Sequence, residues 1–210
     1  MQRIRLSRLL GLTPLIGICL FIVLYVVAAF EYPGGSNADT SQKGFNIFSN
    51  YWCDLLNYDA KNGDYNTSRP VALAAMILLS VSLALFWYFL PLFIYTAREH
   101  QKIIQFSGVF SAVTALFVFT KYHDVVIDVA GLFGAVAFLG AFIGLFKSGW
   151  YRLTVMGIFC LVLCLVNYVI YQSRQFVSIL PLLQKATFLL CLCWFFFMDI
   201  QIYRMLESKK

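Results

Sequence analysis

Five long apolar stretches and a sixth, slightly broken one fill most of this 210-residue chain. Nothing else in the sequence constrains its fold so strongly. A hydrocarbon core of roughly 30 Å takes about 20 apolar residues per helical crossing, and six spans of that kind run over about 9–30, 71–95, 103–120, 124–146, 153–172 and 186–203. No segment alternates apolar and polar residues as a barrel strand must, and an unpaired backbone cannot cross lipid, so the expected fold is all-α. The expectation is one domain over 1–210: a polytopic bundle of six transmembrane helices with an outer loop over 31–70. Composition agrees, because 61% hydrophobic against 12% charged residues leaves too little polar surface to coat a water-soluble globule.

Orientation follows from the basic residues. With the N-terminus in the cytoplasm, that side carries Arg3, Arg5, Arg8, Arg98, Lys102, Lys147, Arg152, Arg204, Lys209 and Lys210. Lys43, Lys61, Arg69, Lys121, Arg174 and Lys185 fall on the other side. Short segments beside helix ends are where positive-inside bias acts, so both termini are expected in the cytoplasm, in what reads as a bacterial inner membrane. The net charge of +6 expresses this bias and contact with anionic lipid; no basic run is dense enough for nucleic acid. A cleaved signal is the rival reading of the N-terminus. The stretch is longer than a signal core, and Phe30-Glu31-Tyr32-Pro33 makes a poor mature start, so it is read as span one.

Of six cysteines, Cys19, Cys160, Cys164, Cys191 and Cys193 lie in apolar spans and only Cys53 lies clearly outside them. This argues against a disulfide framework. No Cys-x-x-Cys is present, and Cys160 and Cys164 share a helix face as any i, i+4 pair does, so redox chemistry is disfavoured.

The outer loop is the most informative polar segment. Over 45–58, Phe45, Phe48, Trp52, Leu55 and Leu56 fall at helical spacing, while Asn46, Asn50, Cys53 and Asn57 fall on another face beside Ser49 and Asp54. The pattern predicts an amphipathic helix over 45–57 lying at the membrane surface, with Phe48, Trp52 and Leu55 toward the apolar phase. Asp59–Asn66 is turn-rich around Asn62-Gly63; set against a calcium loop it is out of register, with Ala60 at the first ligand position and Tyr65 where glycine should be. Asn66-Thr67-Ser68 is a glycosylation sequon.

A second polar focus opens span four, where His123, Asp124 and Asp128 follow Thr120 and Lys121. Asp124 and Asp128 are one turn apart, and a carboxylate inside the apolar boundary is expected to point into the bundle. Asp54, His123, Asp124 and Asp128 are therefore expected to share one pocket and are the catalytic candidates. Their positive partners would come from Arg69, Lys121, Arg174 or Lys185. Ser49, Asn50, Asp54, Asn57, Arg69, His123 and Asp128 are the candidate binding residues. A pairing that only fixes helix packing is the bland alternative. Gly140-x-x-x-Gly144 further along marks close helix contact. No metal site is expected, since no His-x-x-x-His or Glu-x-x-His occurs, and a Ser49, Asp54 and His123 triad is possible only arithmetically.

Six spans, Ser49-Asn50-Tyr51-Trp52-Cys53-Asp54 ahead of span two, and Thr120-Lys121-Tyr122-His123-Asp124 between spans three and four resemble bacterial proteins of domain of unknown function 998. More remotely the chain resembles the six-span superfamily of the damage-regulated autophagy modulators. The resemblance implies the fold and no established activity, with a link to membrane lipid for some of the remote relatives. Two functions follow. The first is a non-enzymatic protein that binds or organises lipid, or assists a membrane-protein partner, through an outward-facing polar pocket. The alternative is a small intramembrane hydrolase acting on a lipid headgroup. The first is favoured because catalytic spacing is absent. A transporter comes third, for want of internal repeats or paired mid-span breaks; Asp199 adds nothing to it, being expected at the cytoplasmic interface beside Arg204.

Overall fold

The structure is a computed structural model that describes the backbone of residues 2–208 and the side chains of 13–207. Six helices carry the chain: α1 (Gln2–Glu31), α2 (Arg69–Phe89), α3 (Arg98–Ala115), α4 (His123–Lys147), α5 (Tyr151–Ser173) and α6 (Leu180–Ser208). Each contains a segment long and apolar enough to cross a bilayer, so the protein is a multi-pass integral membrane protein with an all-α bundle. An even number of crossings puts the segment joining α1 to α2 at the end opposite the two chain ends; it is called here the capped end. Arg3, Arg5, Arg8, Lys209 and Lys210, half of the basic residues assigned to the cytoplasmic side, lie outside the described side chains.

Aromatic side chains fill the centre. Trp194 of α6 is fully buried, with Phe138 of α4 at 5.0 Å, Phe195 at 5.1 Å and Phe86 of α2 at 6.0 Å between ring centroids. Its indole N–H donates to the Leu153 carbonyl at 2.8 Å, so the largest buried ring leaves no orphan donor. Small residues let the helices close on this core. Gly140 and Gly144 of α4 lie against Ile104 of α3 and Ile94, which is the close contact their spacing implies. Gly108 of α3 faces the Trp87 ring at a distance that leaves no room for a methyl group.

The loop over 32–68 departs from expectation. In place of a surface helix over 45–57, only Trp52–Leu56 form a short 3-10 helix. The cause is local. Asn46 Oδ1 accepts from Phe48 N at 2.8 Å and Asn50 Oδ1 accepts from Asn46 N at 2.9 Å, so the asparagines bond to the backbone in competition with a helical ladder. The apolar residues also part company. Leu55 and Leu56 are buried in the bundle and Trp52 lies half-buried against Tyr25 (5.0 Å) and Phe188 (6.3 Å), while Phe48 is exposed. The segment caps the helix ends rather than lying on the membrane surface. The sequon is part of this cap: Asn66 is fully buried and its amide donates to the carbonyls of Asp54 (3.1 Å) and Asn57 (2.9 Å), which leaves it no side-chain surface for a glycan.

Gly108→Ala is expected to lower stability by about 1–3 kcal/mol through overpacking against Trp87, read as a lower thermal midpoint in detergent. Gly131→Ala, with open space around its Cβ position, should leave the midpoint unchanged; equal effects from the two would show that the α2–α3 contact does not control packing.

Candidate functional site

The capped end encloses a cavity of about 570 Å³ between the loop, the α3–α4 turn, α5 and α6. Three segments of the sequence build its mouth. The loop contributes Tyr51, Asp54, Asn57 and Lys61; the start of α4 contributes His123; the end of α5 contributes Tyr171 and Arg174. Apolar Phe119, Ile127, Leu180 and Phe188 share the rest of the wall with Asn167, Thr187, Cys164 and Cys191.

Asp54 is 2% exposed and bound on all sides. Its carboxylate accepts from Tyr51 N at 2.9 Å and Asn50 Nδ2 at 3.1 Å, and Lys61 Nζ stands 3.7 Å away. The first of these bonds closes the N-terminus of the 3-10 helix, where an acidic side chain is favoured. Next to it, the ammonium of Lys185, also 2% exposed, donates to the carbonyls of Asn50 and, at 2.9 Å, Pro181. Phe45 and Trp52 cover it at 5.5 and 5.9 Å. One buried lysine of α6 thereby fastens the loop that roofs the cavity. Further staples are Tyr25 Oη to the Trp52 carbonyl (3.1 Å) and Trp52 N to Gln184 Oε1 (3.3 Å).

On the opposite wall His123 Nδ1 lies 3.0 Å from Asp124 Oδ1, and the Tyr171 hydroxyl donates to that same oxygen at 2.9 Å. Arg174 stacks 4.7 Å above the Tyr171 ring from a left-handed backbone position (φ 58°), a conformation that costs a non-glycine residue about 1 kcal/mol. The imidazole is therefore oriented by a carboxylate that is itself held in place. Burial pushes the Cys53 thiol up to about 12, with the neighbouring Asp54 carboxylate adding to the rise; burial also raises the Tyr51 phenol above its ordinary value, with Cys53 and then Asp54 adding to it.

Of the residues expected at a site, Asp54, Asn57 and His123 line the cavity together. The others do not. Ser49 donates to Gln42 Oε1 at 2.8 Å and is no partner for His123, and fully buried Asn50 is consumed inside the cap. Arg69 lies 3.7 Å over Tyr58 and donates to the Leu56 carbonyl. Asp124 is exposed and acts on the cavity only through His123 and Tyr171. Asp128 is exposed, off the cavity wall, and without an ion pair or hydrogen bond to any described residue. The reason is helical phase. His123 and Ile127 are the i, i+4 pair that α4 turns to the cavity, which rotates Asp124 and Asp128 about 100° onto the next face. Asp199 corrects the sequence reading too: it is 2% exposed rather than at an interface, and its Oδ2 has no hydrogen-bond partner.

Tyr171, Gln184, Thr187 and the pair Asn167 and Cys164 were missed in the sequence. The usable signal was a polar residue inside an apolar span, since Asn167 and Lys185 are the kind of intramembrane polar groups that point inward. Among the described residues no three His, Cys, Asp or Glu side chains gather as a metal-binding group, and Asn62 and Asp64 satisfy each other within their own turn at 2.6 Å.

Lys185→Met keeps the buried stem but removes both donors, leaving two buried carbonyls short of partners at about 1–3 kcal/mol each. Hydrogen exchange across residues 45–57 should rise while the α2–α3 core stays protected; unchanged protection would show that Lys185 does not hold the cap. The Cys53 thiol is expected to stay protonated through pH 10, so its alkylation rate should keep climbing with pH beyond 10 instead of levelling above the ordinary thiol value near 9. No family model matches this chain, and no curated protein and no solved structure matches it significantly.

Proposed function

We propose that the protein binds the head and upper chain of a membrane lipid in the cavity at its capped end. The observation that carries this reading is the mixed lining of one cavity: charged and hydrogen-bonding groups share it with Ile127, Leu180 and Phe188, the combination that an amphiphile satisfies and a small polar solute does not. Lys61, His123 and Arg174 would meet the headgroup, and Ile127, Leu180 and Phe188 the chain. Asp54, bonded on all sides, would hold the roof rather than touch the ligand. The positive-inside count supports an orientation with this end at the exterior or periplasmic face and both termini in the cytoplasm, and a bacterial inner membrane is the proposed location. The resemblance to six-span proteins of domain of unknown function 998 accords with the reading and adds no chemistry.

Hydrolysis of a headgroup is the second reading, favoured by one observation. The Tyr171–Asp124–His123 chain orients an imidazole on the cavity wall as a general base requires. The hydroxyls at the cavity offer no activated nucleophile, because Thr120 is bonded to Phe117 O and Thr187 accepts from Asn167. Water would have to attack.

Native mass spectrometry of the full chain released from nanodiscs of mixed lipid tests both. Retained lipid is expected at one per chain and should fall by about tenfold or more in Ile127→Trp, which fills the apolar wall, and in the double variant Lys61→Ala, Arg174→Ala. Wild-type retention in all variants would sink the binding reading. Release of headgroup by wild type and not by His123→Ala would establish the hydrolase. A reporter fused after Lys210 should be active only in the cytoplasm and one near Asn37 only outside; both on one side would overturn the orientation.

A further inference from the structure

Three of the six cysteines, Cys53, Cys164 and Cys191, line the one cavity, and Cys160 interacts with Cys191 from the next turn of α5. Packing accounts for Cys160, which is fully buried, as a small apolar residue. It does not account for Cys164, which is exposed to the cavity, or for half-buried Cys191 beside it. Their sulfurs lie 3.9 Å apart across two different helices, unbonded. One turn nearer the capped end, Asn167 Nδ2 donates to Thr187 Oγ1 at 2.7 Å, three residues from Cys164 and four from Cys191. This second rung pins α5 and α6 in the register that keeps the thiols opposed. A disulfide of about 2.05 Å requires the two sulfurs to close by roughly 2 Å.

Depth decides the oxidant. Cys164 stands nine residues below the end of α5 and Cys191 eleven below the start of α6, which at the helical rise is roughly 14–17 Å into the bundle. The thiols are reached past Asn167, Thr187, Ile127 and Phe188, an uncharged route that favours a lipid-soluble ring over a charged oxidant. We propose that Cys164 and Cys191 form a redox-active dithiol whose oxidant is a lipid-soluble benzoquinone admitted to this cavity. The two S–H bonds break, one S–S bond forms, and the electron pair and both protons pass to the two quinone oxygens to give a hydroquinone. This goes beyond lipid binding and does not depend on it.

The experiment uses the full, pre-reduced chain in nanodiscs under anaerobic conditions, with a fully substituted decyl benzoquinone that cannot simply alkylate a thiol. Quinone loss is followed by absorbance, and disulfides by mass spectrometry of peptides after alkylation. One hydroquinone per chain and a Cys164–Cys191 crosslink lacking two hydrogens are expected. Cys164→Ser and Cys191→Ser should each abolish both signals, and Cys193→Ser, which is off the cavity wall, should change neither. Ile127→Trp keeps every cysteine and should slow the reaction by about tenfold or more by closing the passage. A pair that stays reduced overturns the proposal, as does a crosslink that forms equally fast in Ile127→Trp. The lipid count of the same samples reports separately on lipid binding.

Discussion

A single buried ammonium holds the cavity together. Lys185 enters from α6, is covered by Phe45 and Trp52, and spends its hydrogens on carbonyls of the loop and of its own helix. A cation taken out of water is costly unless its donors are all met, so the loop cannot drift off α6 without exposing an unpaired charge to an apolar setting. The bonds of Asn50, Asp54 and Tyr51 are arranged around that requirement, and the roof of the cavity inherits its position from them.

The bundle tolerates a cavity at this end because its packing is uneven. The α2 span has 39% of its residues buried and the α5 span only 17%, so α5 is a peripheral helix that closes against α6 and leaves space toward α4. The aromatic cluster around Trp194 keeps α2, α4 and α6 together, and α5 joins it only at its first turns, through the Leu153 carbonyl and Gly157. A cavity bounded by a loosely packed helix opens and closes at low energetic cost, which suits a ligand arriving from the lipid. Two left-handed non-glycine residues, Arg174 and Phe176, sit in the turn that joins α5 to α6, at the cavity rim. Strain of that kind persists only where the surroundings over-determine it.

The six spans were legible because the bilayer imposes them through length and apolarity, two quantities that can be read off the sequence directly. The cap was not. Its apolar residues at helical spacing belonged to two different environments, Leu55 and Leu56 inside and Phe48 outside, and periodicity cannot see asparagine side chains competing for the backbone. The site was half legible for a related reason. Intramembrane polarity marked the right region, yet which of His123, Asp124 and Asp128 faces inward depends on the rotation of α4, set by Gly140 and Gly144 against their isoleucines about three to six turns away. The residues contributed by α5 and α6 required knowing which helices meet, and adjacency in space is not written in the order of the spans.

A cavity with a polar mouth and a thiol pair on its floor sets two demands on the same volume. On the proposed reading the mouth takes an amphiphile that leaves its head among Lys61, His123 and Arg174, which line it. The floor favours a flat ring that reaches between α5 and α6. A prenylated or alkylated ring with polar oxygens meets both, since its oxygens can bond at the mouth in transit and its chain can remain in lipid past the loosely packed α5. Lipid and quinone would then compete for one passage, and the wall residue that both must pass, Ile127, is where exclusion of one by the other would be set.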